Sequence, residues 1–375
     1  MNWSNSLNRF LVGAATALVA TSAYALPKGP CEKPVDVCCD EPRPGPFAFA
    51  YPKDVNLECP ADFYVHAAFL VLQAKEDGLD FGVRDSDGTN LPLNHGEILG
   101  FSHDSTDWDY NPGVRVGLGF YLHHDAWTLD FDWTWLNITN RQDFGTSSTG
   151  IILPIWMPPT TEGSTSSTWK SISAVWDAHY NTIDARLGKP YHISRYVVFK
   201  PHFGFRAAWI DQYFSVHHAG TYNGTTGGAV HDGDNDFWGF GARTGLDTEW
   251  IVGKGWQLFG NVAGSMLFGK FEVDQHIALA GQSDNLGYDI DYDHYQNVPN
   301  FEIELGIAWH KYFSKNKYRV GVAAAYEFHE WFDQFNMKRF FGYTHTAADY
   351  QWQPETSARG NLTLNGFSIK LQLDI

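Results

Sequence analysis

From residue 62 onward the chain alternates apolar and polar positions with a period of two. Val114, Val116, Leu118, Phe120 and Leu122 interleave with Arg115, Gly117, Gly119 and Tyr121. Trp127, Leu129, Phe131, Trp133 and Trp135 interleave with Thr128, Asp130, Asp132 and Thr134, and Phe301 to Trp309 and Phe367 to Ile375 repeat the pattern. Successive side chains of a strand point to opposite faces, so these are strands with one apolar, aromatic side and one polar, small or charged side. The alternation predicts strands over 62–74, 111–122, 126–139, 172–189, 195–215, 235–252, 255–275, 295–313, 317–335 and 362–375.

A soluble sandwich gives the same alternation, but three features favour a transmembrane barrel. The predicted strands are long, where soluble strands usually run to about five or six residues. Their apolar faces are bracketed by Trp, as in Trp127 to Trp135 and Trp238 to Trp250. Such intervals rise roughly 20–30 Å when tilted, the height of an outer-membrane apolar band with its aromatic girdles. The links also alternate: 123–125, 190–194, 253–254 and 314–316 are short, whereas 75–110, 140–171, 216–234, 276–294 and 336–361 are long. In lipid every backbone group needs a partner, so the sheet must close. The fold class is therefore all-β, an antiparallel up-and-down barrel of ten strands over 61–375, with both termini on the side of the short turns, the periplasm. Apolar pieces in the first long link, Gly82-Val83 and Glu97 to Phe101, leave a twelve-strand alternative through one more hairpin.

Composition narrows the class further. Aromatics make up 16% of the 375 residues and charged residues only 18%. The net charge of −17 excludes a nucleic-acid binder, which needs a basic stripe. Past residue 25 no apolar run reaches the length of a spanning helix. Residues 1–25 read as a signal peptide, with Arg9, an apolar stretch from Phe10 and a cleavage site at Ala23-Tyr24-Ala25. Residues 26–60 form an irregular arm holding eight of the 17 prolines and all four cysteines, Cys31, Cys38, Cys39 and Cys59. In an exported chain these are disulfide candidates, within the arm or to other envelope proteins; their pairing is open.

Several stretches are similar to the pore-forming major outer-membrane-protein family of Legionella and environmental chlamydiae. They include Leu70 to Leu79, Asn111-Pro112-Gly113 running to Gly119, and His124-Asp125-Ala126-Trp127 with Trp133-Thr134-Trp135. Lys200-Pro201-His202-Phe203-Gly204-Phe205-Arg206 through Gln212 is the most specific, and Asn235 to Gly239, Leu258 to Asn261 and Tyr326-Glu327-Phe328 continue it. The resemblance covers roughly 62–375 and implies an outer-membrane barrel that conducts small solutes. It names no solute, and it implies oligomers. Where it leads one to expect a Cys near 314–317, this chain has Ser314-Lys315-Asn316-Lys317, which moves any cross-linking to the arm.

With the apolar face toward lipid, the other face lines the interior. This places Arg115, Asp130, Asp132, Asp184, Arg186, Lys200, His202, Arg206, Arg243, Asp247, Glu249, Glu302, Glu304, Glu327 and Lys370 inside. Charges there must be solvated or paired. One reading is a water-filled, channel-lining set that selects ions weakly, leaning toward cations; the other is an interior interlocked by ion pairs. The apolar insert Ile151 to Met157 is a mobile loop, a constriction folded into the mouth, or a contact with a neighbouring subunit. Asp232, Asp234 and Asp236, and Asp289, Asp291 and Asp293, read as a solvated acidic lip. They lack the spacing of a calcium loop, so no metal and no cofactor is expected. His217, His218, His231 and His294 lie beside acidic residues, yet no nucleophile or zinc motif accompanies them, so the chain does not read as an enzyme.

Overall fold

The computed structural model describes residues 51–52, 63–85, 96–101, 109–122, 127–146, 150–156, 168–222, 225–280, 288–346, 349–355 and 360–375. The leader of 1–25 and the four cysteines lie outside the described residues. In chain order the strands are β1 (Tyr51–Pro52), β2 (Phe63–Glu76), β3 (Asp80–Asp85), β4 (Glu97–Gly100), β5 (Tyr110–Leu122) and β6 (Trp127–Gly145). Then come β7 (Ile151–Pro154), β8 (Thr168–Gly188), β9 (Tyr191–His192), β10 (Val197–Tyr222), β11 (Thr225–Gly253) and β12 (Trp256–Ala280). The chain ends with β13 (Tyr288–Phe313), β14 (Tyr318–Phe335), β15 (Arg339–Thr346), β16 (Asp349–Glu355) and β17 (Gly360–Asp374).

Ten of these, in the order β2-β5-β6-β8-β10-β11-β12-β13-β14-β17, close into an antiparallel barrel, β17 pairing back onto β2. The register fixes its shape. From Leu70, pairing one way round runs through Gly113, Leu136 and Tyr180 to Ile210. The other way it runs through Ser368, Ala325, Gly306, Phe259 and Glu249 to Val198, twelve residues lower on the same strand. Ten strands with this stagger tilt by about 40° and enclose a backbone cylinder of about 10 Å radius, narrow enough for side chains to fill.

The alternation sorts as the sequence predicts. Phe203, Phe205, Phe240, Leu305, Phe367, Ile369 and Leu371 are all more than half exposed on the outside. On β11 the outward apolar positions run from Trp238 to Trp250, a rise of about 30 Å. At the short-turn end β11 passes to β12 through Gly253-Lys254-Gly255, all at positive φ, and β13 passes to β14 through Ser314, Lys315 and Asn316, also at positive φ. Such φ values match the right-handed twist of the flanking strands. On β5 the inward positions 117 and 119 are glycine because the His66 and Tyr64 rings of β2 occupy the space: a Cβ would lie 2.4 Å and 2.1 Å from those rings.

Three expectations need correction. β10 and β11 meet across only residues 223–224, so most of the predicted link 216–234 is strand. β12 and β13 likewise extend well into the predicted link 276–294. Beyond the apolar band the outward positions carry acids, and that polarity hid this pairing. The hairpin hidden in the first long link does form, as β3 and β4, but six and four residues are too short to span. It pairs with β7 and turns inward, so the barrel has ten strands and not twelve. A second hairpin, β15–β16, occupies the last long link as a separate two-stranded sheet.

Candidate functional site

The inward faces of the ten strands build two unlike half-lumens. The half nearer the short turns holds a cavity of about 310 Å³, lined by every residue predicted to face inward: Arg115, Asp130, Asp132, Asp184, Arg186, Lys200, His202, Arg206, Arg243, Asp247, Glu249, Glu302, Glu304, Glu327 and Lys370. Inward parity places them there, and tertiary structure then pairs most of them.

Arg206 of β10 is the centre of the deepest knot. Its Nε and Nη2 donate to the two oxygens of Asp184, each at 2.6 Å. Its Nη1 donates to Asn300 Oδ1 at 2.7 Å and to Glu302. Arg243 Nη2 donates to the other Glu302 oxygen at 2.6 Å. His329 joins this knot to the next, standing 3.1 Å from both Glu302 and Glu327. Arg115 grips Glu327 with both terminal nitrogens, at 2.8 and 3.1 Å. Nearer the turns, Asp132 is held by Arg186 and by His66 Nε2 at 2.6 Å. Lys200 reaches Asp130 at 2.9 Å, and Arg319 chelates Asp374 at 2.9 and 3.0 Å beside the Tyr121 hydroxyl. Taking charges out of water is costly unless partners and further hydrogen bonds replace the solvent, and these knots supply both.

His66, His329, Arg319, Asp374 and Tyr121 were missed in reading the sequence. Inward parity on β2, β14, β17 and β5 was the available signal for them.

Above the charged belt the lumen closes. Leu72, Leu136, Ile138, Tyr180, Ile210, Leu267, Val298, Trp331, Leu362 and Leu364 come from the strands themselves and are all buried. Over this layer β3, β4 and β7 fold into the mouth. Phe81, Leu99, Phe101, Ile152 and Trp156 are at most 1% exposed there. The insert Ile151 to Trp156 is thus a constriction and not a free loop. Trp156 packs edge-on against Phe214 at 5.4 Å and Phe335 at 5.9 Å, and its indole N–H donates to the Asp80 carbonyl at 2.9 Å. Arg339 lies 4.6 Å over the Trp156 ring and donates to the carbonyls of Gly78 and Asp80. Among the described residues, this apolar section separates the charged cavity from the opposite mouth.

The loop histidines divide. His218 and His231 point into the closure, where burial pushes their imidazoles down to about 4 and about 3. His231 meets Gln275 at 3.1 Å and the Trp156 ring at 4.6 Å. His294 stacks on Phe271, and His217 is exposed. The predicted acidic lip lies on strands. Beyond the apolar band, Asp211, Asp236, Glu272 and Asp293 stand directly opposite one another across β10 to β13. Desolvation by the surrounding wall, then the charge of Asp211, raises the carboxyl of the exposed Asp236 above its usual range. Lys270 bridges Glu272 and Asp293 at 2.8 and 2.7 Å. Among the described residues no group of three or more His, Cys, Asp or Glu is arranged to hold a metal ion.

A closed ten-strand barrel with an aromatic outer band and ionic groups inside is an integral protein of the bacterial outer membrane. Residues 58–375 match the family described as Legionella pneumophila major outer membrane protein precursor, and the chain belongs to that family. No curated protein sequence matches it. Among solved structures it is similar to the outer membrane protease OmpT of Escherichia coli, at 12% identity and a TM-score of 0.37, covering 84% of this chain and 96% of that one. It is also similar to the Pseudomonas putida toluene transporter TodX, at 11% identity and a TM-score of 0.28, covering 84% and 91%. A Pseudomonas aeruginosa FadL homologue follows at 8% identity and a TM-score of 0.23, covering 83% and 89%. At these scores the likenesses carry no argument about what this chain does.

Proposed function

We propose that the protein is a gated outer-membrane pore for small ions and solutes, with a structural role in the envelope. The observation that carries this reading is the charged cavity: a space of about 310 Å³ walled by opposed ionic side chains, on the path a solute would take. Its lining holds nine Asp and Glu against seven Arg and Lys, which favours cations weakly. In this reading the short turns and both termini face the periplasm, the cavity is a periplasmic vestibule, and conduction requires the apolar section above it to part.

A second reading has its own observation. The closure is built largely from strand side chains with almost no exposure, which suits a non-conducting barrel that anchors the envelope. The Cys31, Cys38, Cys39 and Cys59 arm would then cross-link it to neighbours, and non-reducing gels of a Cys-free variant test that role.

Planar-bilayer recording of the refolded protein separates the two. The pore reading predicts discrete conductance steps. It also predicts that Lys370→Glu, which adds a carboxylate to the vestibule, moves the reversal potential in a salt gradient further toward the cation value. Absence of steps at any voltage rejects the pore, and an unmoved reversal potential removes Lys370 from the path.

A further inference from the structure

We propose that Glu76 is a protonation switch that holds the lumen closure shut. Glu76 is the last residue of β2 and points inward, 1% exposed, opposite Leu362 of β17. Among the described residues neither of its carboxylate oxygens meets a donor at full hydrogen-bond geometry, and the Gln212 side-chain amide is near enough only to favour its charge in part. On the outside of the same strand the apolar positions end at Val71 and are followed by Gln73 and Lys75, so Glu76 sits beyond the membrane-spanning part.

An ionised carboxylate in such a place is strongly disfavoured. The charged groups around it do not relieve this. Asp77 follows it in the chain and Glu330 lies on β14, and both oppose its charge; the Gln212 amide on β10 alone favours it. Asp80, Arg84 and Asp85 belong to β3, and Asp333 and Arg339 to the segment around the end of β14 and the start of β15. Arg84 is committed to Glu97 at 2.9 Å, and Arg339 to the carbonyls of Gly78 and Asp80. Burial therefore holds Glu76 in its acid form, well above the usual carboxylate range, while the lumen is closed.

The position gives this titration a consequence. Glu76 ends the barrel wall, and Asp77, Gly78 and Leu79 lead straight into β3 of the closure. Gly78 has φ of +88°, and a Cβ there would lie 3.0 Å from the Phe335 ring, so the turn is tight against the wall. An ionised Glu76 reaches water by moving toward the mouth, which carries this turn and β3 with it and loosens Phe81 and Trp156.

The sign follows from linkage. The closed state raises the affinity of Glu76 for its proton, and an opened, solvated state leaves it near the ordinary value of about 4.3. Closure is therefore at full strength below that value. It weakens about tenfold per pH unit as pH rises toward the raised value, one proton being lost on opening. His218 and His231 stay neutral through this window, since burial lowers both imidazoles. Asp211 and Asp236 titrate on the outer face of the wall and are common to any Glu76 variant.

Amide hydrogen exchange of β3, β4 and 150–156 in lipid vesicles tests this, comparing the wild type with Glu76→Gln from pH 5.5 to 8.5 after correction for intrinsic rates. Wild-type protection of these segments should fall up to tenfold per pH unit over part of that range, while Glu76→Gln stays protected throughout. A wild type with flat protection, or a Gln variant that tracks it, overturns the proposal. Glu76→Leu, equally without a charge, must behave as the Gln variant does, and it serves if the amide disturbs packing. The exchange measurement does not depend on whether the barrel conducts. Conductance is the arm that rests on the pore reading: open probability should rise with pH in the wild type only, and absence of current at every pH would sink the pore and leave the switch standing.

Discussion

Replacing Arg206 by Met is expected to lower the unfolding free energy of the barrel by about 3–5 kcal/mol, seen as a lower urea midpoint by tryptophan fluorescence in lipid vesicles. The guanidinium is 3% exposed and satisfies Asp184 and Glu302 together. Met keeps much of the stem volume, so the loss comes from two buried carboxylates left short of a counter-charge. Arg243 and His329 still face Glu302, but Asp184 has both its short bonds from Arg206 alone. The Arg206→Met, Asp184→Leu double variant should therefore lose less than the sum of the two single changes. Strict additivity would mean that the two side chains do not share one network.

Phe205→Arg should cost about 2–4 kcal/mol in the same assay, because it puts a cation on the lipid face near the middle of the apolar band. Phe205 is 56% exposed and stacks on Phe240, 5.5 Å away across the strand pair. At Val252, beside the Gly253 turn and 67% exposed, the same replacement should cost only about 0–1 kcal/mol, since an arginine there reaches the interface. Equal costs at the two positions would mean that the outer surface meets a uniform solvent.

Much of this architecture is legible in the sequence because lipid and ionic lumen impose opposite chemistries on alternate residues. Parity alone places Arg115, Asp184, Arg206 and Glu302 inside, and Phe205, Phe240 and Phe367 outside. The closure is less legible. At Leu136, Ile138, Ile210 and Leu267 the inward positions turn apolar, and an apolar inward face does not say what it encloses. The upper parts of β10 to β13 were hidden because the outward positions there are acids, Asp232, Asp234, Asp236, Asp289, Asp291 and Asp293, and outward polarity reads as loop. His66 and Asp132 lie far apart in the chain, as do His329 and Glu302, and only the closed register brings each pair together. Glu76 fell just past the predicted end of its strand, in what reads as a polar link.

The period-two alternation along β11 offers the most direct test of the inside-out arrangement. Single cysteines at 238 through 250 in a Cys-free chain, each carrying a small fluorophore, are read for quenching by nitroxide groups on lipid acyl chains. Strong quenching should fall on the even positions, from Trp238 to Trp250, and weak quenching on Gly239, Gly241, Arg243, Gly245, Asp247 and Glu249. Uniform quenching, or the opposite parity, would contradict a barrel that turns its aromatic face to lipid and its charges inward.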